Sequence, residues 1–312
     1  MNHRTLGQSG LEVSTVGLGC NNFGMRIDLE ATRKVVAKAL DLGITLFDTA
    51  DIYGNKGGSE TMLGRVLDAR RKDIVLATKF AGPMVEGKTR RDASRRYIMT
   101  AVEASLRRLK TDWIDLYQLH FADPLTPMEE TLRALDDLIR QGKVRYIGCS
   151  NLPAWQMVEA QWIARESGLH RFISAQDEYS LLVREAEAEK IPAAQAYGVG
   201  LLPYFPLASG LLTGKYKRGV SAPAGTRFAS SPSLVNRYAT ESNWALLERL
   251  QSFCAERGRT LLELAFSWLL ARPPVASVIA GATQPEQLEA NAKAADWTLT
   301  PEDLAEIDRL RV

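Results

Sequence analysis

Histidine and cysteine are scarce in this 312-residue chain, with three of each. Cys20, Cys149 and Cys254 are odd in number and far apart, which excludes a disulfide framework. With His3, His120 and His170 equally dispersed, no spacing fits a zinc site either. Charge of one sign is lacking too: a net charge of +2 is too small to draw nucleic acid or an anionic membrane by field strength. The densest basic stretch, EGKTRRDASRR from Glu86 to Arg96, interleaves acids and reads as a solvated loop leading into a helix. No apolar run reaches the roughly 18 residues of a membrane span. The N-terminal MNHRTLGQSG lacks the apolar core of an export signal. These absences point to a reduced, cytoplasmic protein. What is present is the balance of a soluble globular chain, 46% hydrophobic and 24% charged, which is enough for a sizeable core.

Two short stretches, His3 to Leu6 and Leu11 to Ser14, flank Gln8-Ser9-Gly10 and read as a hairpin. After them, apolar runs of strand length begin near Val16, Ile44, Ile74, Ile114, Val144, Phe172, Val199 and Val275. Helical spacing fills most of the intervals; Ile98, Val102, Leu106 and Leu109 fall on one face. Gly43 and Gly142 stand where left-handed helix caps belong. Pro127, Pro153, Pro192 and Pro285 stand near helix starts, where a missing N–H costs nothing. Eight strand–helix alternations without a composition break predict an α/β fold of one domain over residues 1–312. Its architecture is a (β/α)8 TIM barrel with an N-terminal β-hairpin and a long loop after strand 7. That loop, from Pro206 to about Asn236, is rich in Gly, Ala, Ser and Pro and reads as an uncommitted lid. An open doubly wound sheet is discounted, because GLGCNNFG (Gly17 to Gly24) has only the first two glycines of a dinucleotide fingerprint. GLLTGKY (Gly210 to Tyr216) is rejected as a phosphate loop, having three residues between its glycines and Tyr in place of Ser or Thr.

In such a barrel the chemistry lies at the C-terminal ends of the strands. Strand two ends on Asp48, with Tyr53 soon after, and strand three ends on Lys79. Strand four ends on His120, strand five on Ser150-Asn151, and strands six and seven reach Gln176 and Tyr204. Singly each has an ordinary explanation, as a turn former, a solvated cation or a packing ring. Jointly, Asp, Tyr, Lys and His at the tops of three consecutive strands converge on one mouth. Phe23, Met25, Phe80 and Phe121 are candidates to line it.

Seven segments resemble the aldo-keto reductases, and together they cover nearly the whole chain. They are FDTADIYG with GGSE (Phe47 to Glu60), ATKF (Ala77 to Phe80), SLRRLKTDWIDLYQLH (Ser105 to His120), GKVRYIGCSN (Gly142 to Asn151), AQDEYSLLVRE (Ala175 to Glu185), PLASGLLTGKY (Pro206 to Tyr216) and GATQPEQLEAN (Gly281 to Asn291). The branch they resemble is that of bacterial members and potassium-channel β-subunits. The resemblance implies a catalytic tetrad of Asp48, Tyr53, Lys79 and His120 and reduction of a small aldehyde or ketone by a nicotinamide dinucleotide. It places Ser150, Asn151 and Gln176 on the nicotinamide carboxamide, with Tyr204 stacked on the ring and Gly19, Cys20 and Asn21 beside the ribose. Pro206, Leu207, Ser209, Gly210 and Lys215 would follow the pyrophosphate, and Gly281, Thr283, Gln287 and Asn291 the adenosine. Many relatives carry Lys or Arg near position 283 for a 2′-phosphate; this chain has none there. Arg227 or Lys215 is expected to substitute, favouring NADPH over NADH. Phe205 stands where many relatives have Ser. The alternative is a nicotinamide-binding, redox-sensing regulatory subunit with little turnover.

A free tyrosine, with a pKa near 10, is too weak an acid for efficient catalysis at neutral pH. Lowering it to about 7.5 takes roughly 3.4 kcal/mol. One cation about 4 Å away supplies roughly 4 kcal/mol at an effective dielectric of about 20. Lys79 is therefore expected to tune Tyr53, with Asp48 fixing Lys79 and His120 hydrogen-bonding the carbonyl oxygen.

Overall fold

A computed structural model of the chain describes residues 1–84 and 91–311. The part of the basic stretch at 86–90 thus lies outside the described residues. Strands β1 (His3–Thr5) and β2 (Glu12–Ser14) form the expected hairpin. Its turn is held by Ser9, whose hydroxyl donates to Leu6 O at 2.7 Å and accepts from Leu11 N. Gly7 has φ +60°, and a Cβ there would lie 2.6 Å from the carbonyl oxygens of Gly198 and Ile173, so only glycine lets the hairpin dock this closely.

Eight parallel strands follow: β3 (Val16–Gly19), β4 (Leu46–Asp48), β5 (Val75–Phe80), β6 (Ile114–Leu119), β7 (Val144–Ser150), β8 (Phe172–Gln176), β9 (Gly200–Leu201) and β10 (Val278–Gly281). β10 pairs with β3, and each later strand pairs with its predecessor. Closure between β9 and the approach to β10 runs through Leu201, which bridges Val275, and through Ile279 N–H donating to Pro203 O at 3.1 Å. The fold is the expected (β/α)8 barrel.

Helices α1 (Leu29–Asp41), α2 (Tyr53–Val66), α3 (Arg95–Leu109), α4 (Met128–Arg140), α5 (Ala154–Glu166) and α6 (Lys190–Tyr197) alternate with the strands. Asp28 caps α1 by accepting from Ala31 N, and Ser94 caps α3. Gly43 and Gly142, with φ +73° and +74°, stop α1 and α4 as predicted. On α3, Ile98, Val102, Leu106 and Leu109 are all buried. After β9 come α7 (Arg227–Ser230), α8 (Pro232–Tyr238), α9 (Glu241–Glu256) and α10 (Leu261–Leu270); α11 (Pro285–Ala294) and α12 (Pro301–Arg309) follow β10.

Two expectations are corrected. Strand seven does not run on to Tyr204: β9 is two residues long, Gly200–Leu201. Tyr204 is joined to the sheet only by a bridge to Glu178. The segment from Pro206 to Asn236 is not an uncommitted loop. It carries a short 3-10 turn, Ala208–Thr213, and the two short helices α7 and α8.

Two cores result. Outside the sheet, Val35, Phe47, Leu76, Leu132 and their neighbours join strands to helices. Inside the barrel, Leu46, Ala77, Leu116, Leu202 and Ile279 pack on Leu6 and Val13, so the hairpin plugs the N-terminal end. The three cysteines are free and buried. Among the described residues, no helix is long and apolar enough to cross a membrane.

Candidate active site

The C-terminal end of the barrel opens into a cleft of about 840 Å³. Asp48, the last residue of β4, lies at its floor, 3% exposed. Lys79 projects inward from β5 and is wholly buried. Its Nζ donates to Asp48 Oδ2 at 2.6 Å and to Thr49 O at 2.9 Å, so two acceptors aim one ammonium. Asp48 Oδ1 accepts from Gln176 Nε2 at 2.9 Å and from Gln118 Nε2 at 3.2 Å.

Tyr53 is delivered to this pair by a tight reversal. Gly54, Asn55, Lys56 and Gly57 all have positive φ, so the chain coils left-handedly before α2 proper begins. At Gly54 a Cβ would meet Phe23 O and Ser59 N at 2.5 Å, which makes that glycine obligatory. Ser59 then ties the segment back, donating to Cys20 O at 2.7 Å. Glu60, fully buried, takes Arg108 and the Thr78 hydroxyl. The Lys79 ammonium lies 5.1 Å from the Tyr53 ring centroid. His120, just beyond β6, sets its ring 5.8 Å from that of Tyr53, edge to face, and stacks on Phe121. Asp48, Tyr53 and His120 therefore line one cleft, and Lys79 lies buried behind it in contact with Asp48 and Tyr53.

Burial raises the Tyr53 phenol above its ordinary pKa; Lys79 pulls it down, Asp48 pushes it up, and the net direction is upward. This corrects the expectation that Lys79 alone brings the phenol near neutrality: desolvation, which that reckoning omitted, outweighs one cation. Lys79 itself is pushed down by burial and up by Asp48 and Tyr53, ending above its ordinary value, so it stays charged. Burial, with the charges of Lys79 and Arg91, drives His120 well below its usual range. At neutral pH the site thus holds a protonated phenol, an ammonium and an uncharged imidazole.

The rim is a connected network. Asn151, at φ +56°, donates through Nδ2 to His120 O at 3.1 Å and accepts at Oδ1 from the Tyr204 hydroxyl at 2.8 Å. Ser150 donates to Gln176 O at 2.8 Å. Gly19, Asn21, Pro206, Leu207, Ser209 and Gly210 line the same cleft, as do Lys215, Arg227, Gly281, Thr283, Gln287 and Asn291. Cys20 does not; its side chain is buried in the helix–sheet core with its thiol on Leu18 O. Of the four candidates for an apolar mouth, only Phe121 reaches the cleft. Phe23 and Phe80 are fully buried, and Met25 is exposed away from it.

Sequence reasoning passed over Asn22, Arg26, Ile52 and Gln284 as lining residues. Arg26 had one available signal, an unexplained cation in the loop between β3 and α1. It donates to Gly225 O at 3.0 Å across the cleft. Arg227 packs over Phe205, 5.6 Å from the ring centroid. Burial and then Arg26 lower its pKa, and among the described residues no carboxylate pairs with it. Ser209 Oγ is buried without a hydrogen-bond partner among the described residues. Gly210, at φ +98°, admits the Lys215 ammonium, since a Cβ would stand 2.8 Å from Nζ. Asp48 is the one acid among the lining residues, and it is already paired. This long wall of uncompensated cations and polar backbone suits a ligand with several anionic groups. The dinucleotide fits the residues present.

Comparison with known proteins agrees with the geometry. The model of the Aldo/keto reductase family matches residues 15–312. An uncharacterized oxidoreductase of Bacillus subtilis is 38% identical over 97% of this chain and 94% of its own length. A probable voltage-gated potassium channel subunit beta of Arabidopsis thaliana is 37% identical over 99% of this chain and 96% of its own. The L-glyceraldehyde 3-phosphate reductase of Escherichia coli is 36% identical over 99% and 92%.

Proposed function

The chain belongs to the aldo/keto reductase family, and from that premise we propose that it reduces aldehyde or ketone carbonyls to alcohols with NADPH, Tyr53 acting as general acid. One observation carries the reading: a buried ammonium, fixed by Asp48, faces a protonated phenol at the floor of a cleft with a cationic wall.

When bound, a nicotinamide dinucleotide supplies the hydride. The protein's own residues do the rest. His120, uncharged, hydrogen-bonds the carbonyl oxygen and sets the carbon against the nicotinamide end of the cleft. Tyr53 gives its hydroxyl proton to that oxygen as the carbon is reduced. Lys79 stabilises the phenolate left behind: unit charges about 5 Å apart at an effective dielectric near 20 attract by about 3 kcal/mol. Asp48 keeps the ammonium charged and aimed. The raised phenol pKa keeps the proton on Tyr53 at neutral pH but weakens it as a donor, so the Lys79 ammonium is needed to offset that loss as the phenolate forms. Ser150, Asn151 and Gln176 offer the carboxamide its partners, Ser209 and Lys215 the pyrophosphate, and Arg227 the 2′-phosphate. Three free, buried cysteines fit a reduced cytoplasmic setting.

Tyr53→Phe is expected to abolish nearly all turnover while dinucleotide binding persists; a fully active variant sinks the assignment. Titrating NADPH and NADH against protein fluorescence tests the cofactor preference, which equal or tighter NADH binding would overturn. A second reading is favoured by the name of the Arabidopsis relative: a nicotinamide-binding regulatory subunit with little turnover. Rapid oxidation of NADPH by a reactive aromatic aldehyde excludes it.

A further inference from the structure

Gln118 lies on β6, beside Lys79 on β5 and Gly148 on β7 in register, with its side chain inside the barrel and wholly buried. It does not line the cleft. Its Nε2 donates to Asp48 Oδ1 at 3.2 Å, and the acceptor is a carboxylate paired with a lysine, so the amide can point only one way. Its Oε1 is buried with no partner among the described residues. An orphaned amide oxygen is a cost to folding that an apolar side chain of the same shape avoids. What the amide adds is a second donor on the oxygen that Lys79 leaves free. The neighbouring strand makes room for it: a Cβ at Gly148 would lie 3.3 Å from Gln118 Cγ and 2.2 Å from Ser174 Oγ.

We propose that Gln118 is a positioning residue for the reaction: it fixes the plane and the charge of the Asp48 carboxylate, and through it the Lys79 ammonium at the Tyr53 phenol. Gln176 shares the task from the other side, but it borders the cleft, where a bound carboxamide engages it. Gln118 is the half of the support that does not depend on occupancy. This inference rests on the carbonyl-reductase reading above.

Gln118→Leu keeps the shape and removes the donor. The expected result is a kcat about tenfold lower. KM for the carbonyl, the dinucleotide Kd and the Tm should all stay within about twofold or a few degrees of wild type. Gln118→Glu sharpens the test. While protonated, the new carboxyl donates to Asp48 as the amide does; once ionised, it repels a carboxylate roughly 3 Å away. Its kcat is therefore expected near wild type at acid pH and to fall as pH rises through neutrality, a limb absent from wild type. Wild-type kcat and pH profile in Gln118→Leu, or a Gln118→Glu profile superimposable on wild type, overturns the proposal. Should either variant fail to fold, the other decides. The two levels separate cleanly: a wild-type protein that reduces no carbonyl overturns the reductase reading and this role with it, whereas an active wild type with unaffected variants overturns this role alone.

Discussion

Asp51, two residues before Tyr53, is 1% exposed. One carboxylate oxygen accepts from the Tyr97 hydroxyl at 3.2 Å, and the other has no partner among the described residues. The groups that face it are Glu60 from α2 and Arg108 from α3, but Arg108 is engaged with Glu60. Burial, followed by the Glu60 charge, raises the Asp51 pKa from 3.8 to about 7. The folded protein therefore binds a proton here that the unfolded chain releases near pH 4. Stability contributed by that proton is complete below the unfolded pKa and is lost as pH rises through the folded one. Between pH 5 and pH 8 the loss is about 2.5 kcal/mol at 1.36 kcal/mol per unit, or roughly 4 °C in Tm for a chain of this size. Asp51→Asn, which cannot ionise, should erase that share of the pH dependence. Urea midpoints of both proteins at pH 5 and pH 8 give the measurement. The difference between the two stability losses should be about 2.5 kcal/mol, the variant being the flatter. Parallel losses in the two proteins refute the reasoning and mean that the carboxyl is ionised in the fold.

Lys79→Met breaks a buried ion pair and should cost about 3–5 kcal/mol, roughly 6 °C in Tm, with kcat at least a hundredfold lower. Adding Asp48→Asn should restore part of that stability but none of the activity; strictly additive thermal losses count against the pairing. Arg227→Gln and Arg26→Gln should each weaken NADPH binding by about tenfold or more and NADH binding far less, since a charge-assisted bond to phosphate is worth about 1.5–3 kcal/mol. Lys215→Met should weaken both dinucleotides alike. Fluorescence titration of each variant with both cofactors checks the pattern, and equal losses in Arg227→Gln remove it from the 2′-phosphate.

Much of the site was legible because a parallel barrel gathers the C-terminal ends of its strands, so Asp48, Lys79 and His120 could be placed together before any coordinates. Where reading failed, the causes are specific. Phe23 and Phe80 read equally well as rim or core and are core, because strand ends carry outward-facing rings as well as inward-facing ones and parity alone does not say where a β–α loop turns. The two short helices after β9 were masked by composition. Their start signals, Thr226 before Arg227 and Ser231-Pro232 before Leu234, are a capping residue and a proline at the first helical position, local cues inside a stretch that reads as coil. The Tyr53 acidity was misjudged because a pairwise charge estimate carries no desolvation. Arg26 was missed because it stands in a loop, and Gln118 because His120, two residues on, was read as the end of its strand.

Gln118 also shows how the barrel tolerates an ion pair in its interior. Along a strand, residues two apart share a face. Leu46 precedes Asp48, Ala77 precedes Lys79, and Leu116 precedes Gln118, each by two, so β4, β5 and β6 carry an apolar residue a layer below the charged or amide one, whereas on β8 Ser174 stands two before Gln176. Leu6 and Val13 of the hairpin seal that lower layer. Water can then approach Asp48 and Lys79 from the cleft alone, and a ligand filling the cleft would dry the pair completely. A buried pair is costly unless its remaining lone pairs and protons are satisfied. Here Thr49 O takes a second ammonium proton, and two glutamine amides cover the second carboxylate oxygen. The same neutral dipoles that make the charges tolerable in the fold also leave their field on the phenol unscreened. Solvent at that position would weaken the Lys79–Tyr53 interaction severalfold. Tolerance of the buried charges and the field on the Tyr53 hydroxyl thus draw on one layer of side chains.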